Sequence, residues 1–140
     1  MMRAPHFVTL VQIDRQRFVS ACRSGLVHVT WGRATLRFTW DEFRRLAGLL
    51  ERAVAAPSPL FVRDEELSVA CRPDDLCELL VGPVALFLSS HEFGEFAQAV
   101  QEGVKHLDDV LNSGMWNQEE TEETAPGFLE QLRRISFSRN

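Results

Sequence analysis

Apolar and polar residues alternate with a period of two in several short stretches, then fall into a helical period in two longer ones, and the whole series recurs. Val27, Val29 and Trp31 alternate with Leu26, His28 and Thr30. Gly32-Arg33 reads as a tight turn, after which Ala34, Leu36 and Phe38 alternate with Thr35 and Arg37. Phe7–Ile13 and Phe18–Cys22 are earlier strands. Leu60–Val62, Leu67–Cys71, Cys77–Val81 and Val84–Leu88 restate the series. The period changes after Phe38 and again after Leu88. Phe43, Leu46, Ala47, Leu50 and Val54 then share one stripe, as do Phe93, Phe96, Ala97, Val100, Val104 and Leu107. Pro57-Ser58-Pro59 should stop the first helix, and Asn112-Ser113-Gly114 the second at about Leu111.

The recurrence reads as a duplication. Gly32–Val54 laid over Gly82–Val104, at an offset of 50, gives six identities in 23 positions. Upstream the offset reads as 49, which places Ala21-Cys22-Arg23 on Ala70-Cys71-Arg72 and assigns an extra residue to the turn Pro73-Asp74-Asp75. Cys22 and Cys71 then become equivalents. Thr39-Trp40-Asp41-Glu42 and Ser89-Ser90-His91-Glu92 are both capping boxes, and Phe38/Phe43 and Leu88/Phe93 are placed to form hydrophobic staples.

The expected fold is therefore α+β, a tandem duplication of an antiparallel β-meander plus one α-helix with pseudo-two-fold symmetry. Residues 1–56 form the first unit and 57–115 the second, packed together as a single domain, since one sheet with one helix needs a second layer. Residues 116–126 read as an acidic linker and 127–140 as a short amphipathic helix, with Phe128, Leu132 and Ile135 on one side and Arg133 and Arg134 on another. Such a helix is too short to stand alone in water.

Composition narrows the class. With 140 residues, 45% hydrophobic and 25% charged, the chain has the make-up of a globular domain rather than a disordered or collagenous one. The apolar run Val81–Leu88 is too short for a membrane span, and no signal peptide is read, so no membrane partner is expected. Three cysteines, an odd and sparse set, favour a reduced, cytoplasmic setting with the thiols free and acting as small apolar residues.

Charge divides the copies. Residues 1–56 carry nine Arg against four acids, a net of +5, while residues 57–140 carry six bases against 16 acids, a net of −10. The halves can attract each other within a monomer, between molecules head to tail, or through an acidic partner. The strand face turned away from the helices also differs. His28, Thr30, Thr35 and Arg37 in the first copy are replaced by Glu78, Leu80, Ala85 and Phe87 in the second. Val84–Leu88 is apolar on both sides, the pattern of a strand covered twice. The expected cover is the tail folding back, a second copy, or another protein.

Motifs for chemistry are missing. The chain has no Gly-x-Ser-x-Gly, no HExxH and no phosphate loop before a helix. Cys71 and Cys77 lack the close spacing of a structural zinc site, and no cofactor or metal is expected. Four scattered histidines and the pairs Asp74-Asp75 and Asp108-Asp109 read as surface, turn and helix-end residues. The expectation is a non-enzymatic cytoplasmic protein that acts by binding another protein or itself, as an adaptor, regulator or inhibitor. Leu80, Phe87, Phe128, Leu132 and Ile135 are its expected contact surface, with Arg33, Arg37 and Arg44 steering. A nucleic-acid or phosphate binder using the basic half is the alternative. A small enzyme whose site is assembled only by the fold comes third.

Overall fold

The computed structural model describes residues 6–57 and 59–116. Residues 127–140, with Phe128, Leu132 and Ile135, lie outside the described residues. Two four-stranded antiparallel sheets are each followed by a helix. Strands β1 (Phe7–Gln12), β2 (Arg17–Cys22), β3 (Leu26–Trp31) and β4 (Ala34–Thr39) form one sheet in that order and lead into α1 (Trp40–Ala55). Strands β5 (Leu60–Asp64), β6 (Leu67–Arg72), β7 (Leu76–Val81) and β8 (Val84–Ser89) form the other, also in order, and lead into α2 (Ser90–Asn112).

The duplication holds to the level of single atoms. Thr39 Oγ1 accepts from the Glu42 amide at 3.1 Å while Glu42 Oε1 accepts from the Thr39 amide at 2.8 Å. Ser89 and Glu92 repeat the exchange at 3.1 and 3.3 Å. Phe38 and Phe43 meet with ring centroids 6.2 Å apart, completing the first staple. Gly32 and Gly82 open the two hairpin turns at φ 67° and 56°, a region that costs glycine nothing. Their amides donate to Gln16 O and Glu66 O, again 50 residues apart.

The 49-residue offset does not hold. Strands β2 and β6 begin at Arg17 and Leu67, β3 and β7 at Leu26 and Leu76, and each β2–β3 or β6–β7 turn has the same length. Gly25 (φ 103°) and Asp75 (φ 70°) occupy the same left-handed position in those turns. The offset is therefore 50 from Gln16 onward. Cys22 answers to Arg72, and Cys71 to Ala21. The extra residues sit earlier, in the wider β1–β2 connection and in a bulge between Thr9 and Val11. Literal identity of Ala-Cys-Arg misled the alignment, where strand pairing decides it.

Contacts cluster the chain into two compact units whose limits differ from those of the repeats. One unit takes residues 6–37 with 105–116, so the first sheet is grouped with the end of α2. In it Val19, Ala21, Val27 and Val29 are fully buried, and His106 Nδ1 donates at 2.5 Å to Leu10 O, the carbonyl at the bulge. The other unit takes residues 38–104, in which α1 packs on β5 and β6. Phe43, Leu46, Leu49, Leu50, Val69, Phe96 and Val100 are its deepest residues. Arg45 reaches Glu65 at 2.7 Å, and Gln101 Nε2 donates to Ala47 O at 2.7 Å. Toward its C-terminus the buried arc of α1 includes Leu49 and Ala53, so Val54, expected on the stripe, turns out to solvent.

Cys71 and Cys77 face each other across β6 and β7, with Cα atoms 4.1 Å apart, and are joined as a disulfide. The expectation of three free thiols is corrected: only Cys22 is free, and it is buried. The pairing also removes the odd cysteine count as an argument about redox compartment. No helix among the described residues is long and apolar enough to cross a membrane.

Candidate functional site

Strand register on the second sheet builds one continuous outer face. Phe61 on β5 lies opposite Ala70 on β6, Ala70 opposite Glu78 on β7, and Glu78 opposite Phe87 on β8. The adjacent row is Arg63, Ser68, Leu80 and Ala85. Side chains alternate between faces, so all eight point the same way. Phe61 is 65% exposed and Phe87 58%, with Leu80 half-buried between the two rows' ends. Single exposed apolar residues are ordinary on a protein surface; here two exposed aromatics share one face with Ala70, Leu80 and Ala85, interrupted by Glu78, Arg63 and Ser68. An open cleft of about 340 Å³ lies along it, lined by Phe61, Arg63, Glu65, Glu66, Ser68 and Leu80 with Gly82.

Phe61 is the middle of the apolar triplet Leu60–Val62, whose letters alone do not tell which side chain faces outward. The signal was the two-residue turn Glu65-Glu66. It pairs Asp64 with Leu67 and so fixes which of the three faces outward. Val84–Leu88 needs the opposite correction. β8 is an edge strand, with Val84 42% exposed on one side and Phe87 on the other, so among the described residues it is not covered twice.

The same positions of the first sheet are polar. Thr30 and Thr35 hydroxyls meet at 3.1 Å, and His28 stands edge-on to Phe7 at 5.7 Å between centroids. Arg33 and Arg37 are exposed there. Arg44, on α1 in the other unit, is drawn to Asp41 at 3.8 Å. Arg17 is held by Asp14 at 2.9 Å and lies over the Trp31 ring. Arg17, Arg44 and Arg45 of the basic half are thus paired with carboxylates, while Arg33 and Arg37 stand exposed.

Electrostatics around the apolar face are set by surface pairs. Two hydrogen bonds from Arg72 hold the Asp74 carboxyl below its ordinary pKa, and Asp74 in turn raises Arg72. The hydrogen bond with Glu65 raises Arg45. Asp75, expected to be a solvated turn residue, accepts from both the amide and the hydroxyl of Ser90 and so helps seat the start of α2. Glu66 and Glu78 make no ion pair among the described residues; Arg63 stands on the same face, and Glu78 adds to the field that raises Arg72.

One arrangement with chemical potential was not foreseen. Cys22 Sγ lies 3.4 Å from His6 Nε2 and 2.7 Å from Ser24 Oγ. A thiol beside an imidazole is the start of a nucleophile–base pair. Cys22 is fully buried, however, and a substrate cannot reach its sulfur. No group of three or more His, Cys, Asp or Glu among the described residues is placed to hold a metal. Compared with protein-family models, curated proteins and solved structures, the chain shows no match to any of them.

Proposed function

We propose that the chain is a small non-enzymatic protein-binding module, an adaptor, regulator or inhibitor, whose partner docks on the outer face of β5–β8. The observation that carries the reading is the pair Phe61 and Phe87, exposed at the two ends of one row with Leu80 in the next. Aromatic residues on a rigid sheet are effective anchors, because they remove much apolar area from water and lose little freedom on binding. Glu66 and Glu78, with Arg63 on the same face, give the partner its chemistry: an apolar segment flanked by charges of both signs. Phe128, Leu132 and Ile135 are proposed as further contacts, and Arg33 and Arg37 as steering groups.

The test is affinity capture from the native organism's extract with four full-length chains. These are wild type, Phe61→Asp with Phe87→Asp, Leu132→Asp, and Arg33→Glu with Arg37→Glu. The reading expects a defined protein to be lost with the double Phe variant, its affinity falling about tenfold or more. Loss only with Leu132→Asp would move the contact to the tail. The nucleic-acid alternative rests on the exposure of Arg33 and Arg37. It expects instead a salt-dependent gel shift that the double Arg variant abolishes and the double Phe variant leaves alone.

A further inference from the structure

Four strands edge the two sheets, and three of them carry devices that discourage pairing with another chain. β1 is broken by the bulge between Thr9 and Val11. β4 carries Arg37, and β5 carries Arg63 and Asp64. β8, Val-Ala-Leu-Phe-Leu-Ser, has no charge, no proline and no bulge against its neighbour.

The phase of its hydrogen bonds follows from two independent observations. The two-residue turn Gly82-Pro83 is closed by Val81 and Val84, and a turn of that length is closed by a hydrogen-bonded pair. On the other side of β7, Cys71 and Cys77 stand at a Cα separation of 4.1 Å, the short spacing of a non-hydrogen-bonded pair. Cys77 therefore directs its backbone groups toward Leu88 on β8. Both lines agree that Val84, Leu86 and Leu88 bond to β7, while Ala85 and Phe87 turn their N–H and C=O groups outward. Neither residue has another partner among the described residues.

We infer that β8 pairs with β8 of a second copy of this chain, antiparallel, about a two-fold axis through Leu86. In that register Ala85 faces Phe87 of the second copy and Phe87 faces its Ala85, so each pair exchanges two hydrogen bonds and all outward groups of the two residues are satisfied. Leu86 meets its own counterpart, and Val84 meets Leu88. Every facing pair is apolar, and no charge opposes another. A different protein would have to supply an uncharged strand of the same length, whereas a second copy supplies one by identity, in the isologous form that closed dimers use. The inference uses the backbone of β8 and does not depend on which protein docks on the sheet face.

The experiment is sedimentation of the full chain together with amide hydrogen exchange. Wild type is expected to sediment at twice the 15.9 kDa chain mass, with the Ala85 and Phe87 amides protected at high concentration and exchanging as the protein is diluted. Ala85→Pro deletes one outward donor per copy and leaves the β7 ladder whole, as proline can on an edge strand. It should give a folded monomer in which the Leu86 and Leu88 amides, bonded to β7, stay protected. Ala85→Lys, which restores the protection seen on the other edges, is the second variant and should also be monomeric. A wild-type monomer at the highest concentration reached, free exchange of the Ala85 and Phe87 amides in a dimer, or a dimer that survives both substitutions overturns the inference.

Discussion

Arg72 and Asp74 show how a surface pair is read through proton binding rather than stability. The lowered Asp74 carboxyl results first from its hydrogen bond to the Arg72 guanidinium. Because the folded value lies below the unfolded one, its stabilisation is present above the ordinary Asp range and is lost as pH falls through the folded value. Both side chains are well exposed, so screening leaves little for folding. Titrated by carbon-detected NMR, Asp74 should show a midpoint below the usual ~3.9. Arg72→Ala should return it to that value with no measurable change in Tm at neutral pH. A midpoint unmoved by the substitution contradicts the pairing. The counterpart of Arg72 in the first copy is the buried Cys22, so one duplicated position has become a salt bridge at the surface and a thiol in the interior. Residue letters alone could not reveal this. Cys22 and Cys71 look equivalent until the β2–β3 and β6–β7 registers place them one step apart, on opposite faces of their strands.

At the scale of elements, the signals that proved legible were local ones. Capping boxes, two-residue turns and the switch from period two to the helical period depend on neighbours in sequence, and the observed bounds follow them within a residue or two. The caps give a direct check. Thr39→Ala and Ser89→Ala each remove one acceptor for an orphan amide and should each cost about 1 kcal/mol by chemical denaturation. Their sites begin separate helices and share no partner, so the double variant should lose close to the sum. Equal single losses would support equivalent roles in the two copies, and no loss at Ser89 would deny it a capping function. What was not legible depended on long-range placement. Whether an apolar strand is central or at an edge is decided by sheet order, and Val84–Leu88 carries the same letters in either case. The outward turn of Phe61 likewise required the register of β5 on β6. The candidate face was thus half visible, through Leu80 and Phe87, and half created by pairing.

For the molecule as a whole, duplication in sequence does not imply that each copy is self-sufficient. α1 belongs to the first repeat, yet its buried face, built on Phe43, Leu46 and Leu50, packs on β5 and β6 of the second. The last turns of α2 are grouped with the first sheet, tied to it through His106 and the Leu10 carbonyl. Cutting the chain between residues 56 and 57 would therefore leave α1 without the strands that cover it. It would leave the first sheet without residues 105–116. A helix of 16 residues gains most of its stability from packing rather than from propensity, so neither fragment should hold its structure alone. Residues 1–56 and 57–140, expressed separately, should each show collapsed amide dispersion in NMR spectra. Mixed in equal amounts, they should regain the dispersion and cooperative melting of the intact chain. If 1–56 folds by itself with α1 helical, the repeat is an autonomous unit and the cross-repeat packing of α1 contributes little. If the mixture alone folds, the copies are interdependent, and the ancestral single module would have needed a partner copy to supply the strands its helix covers.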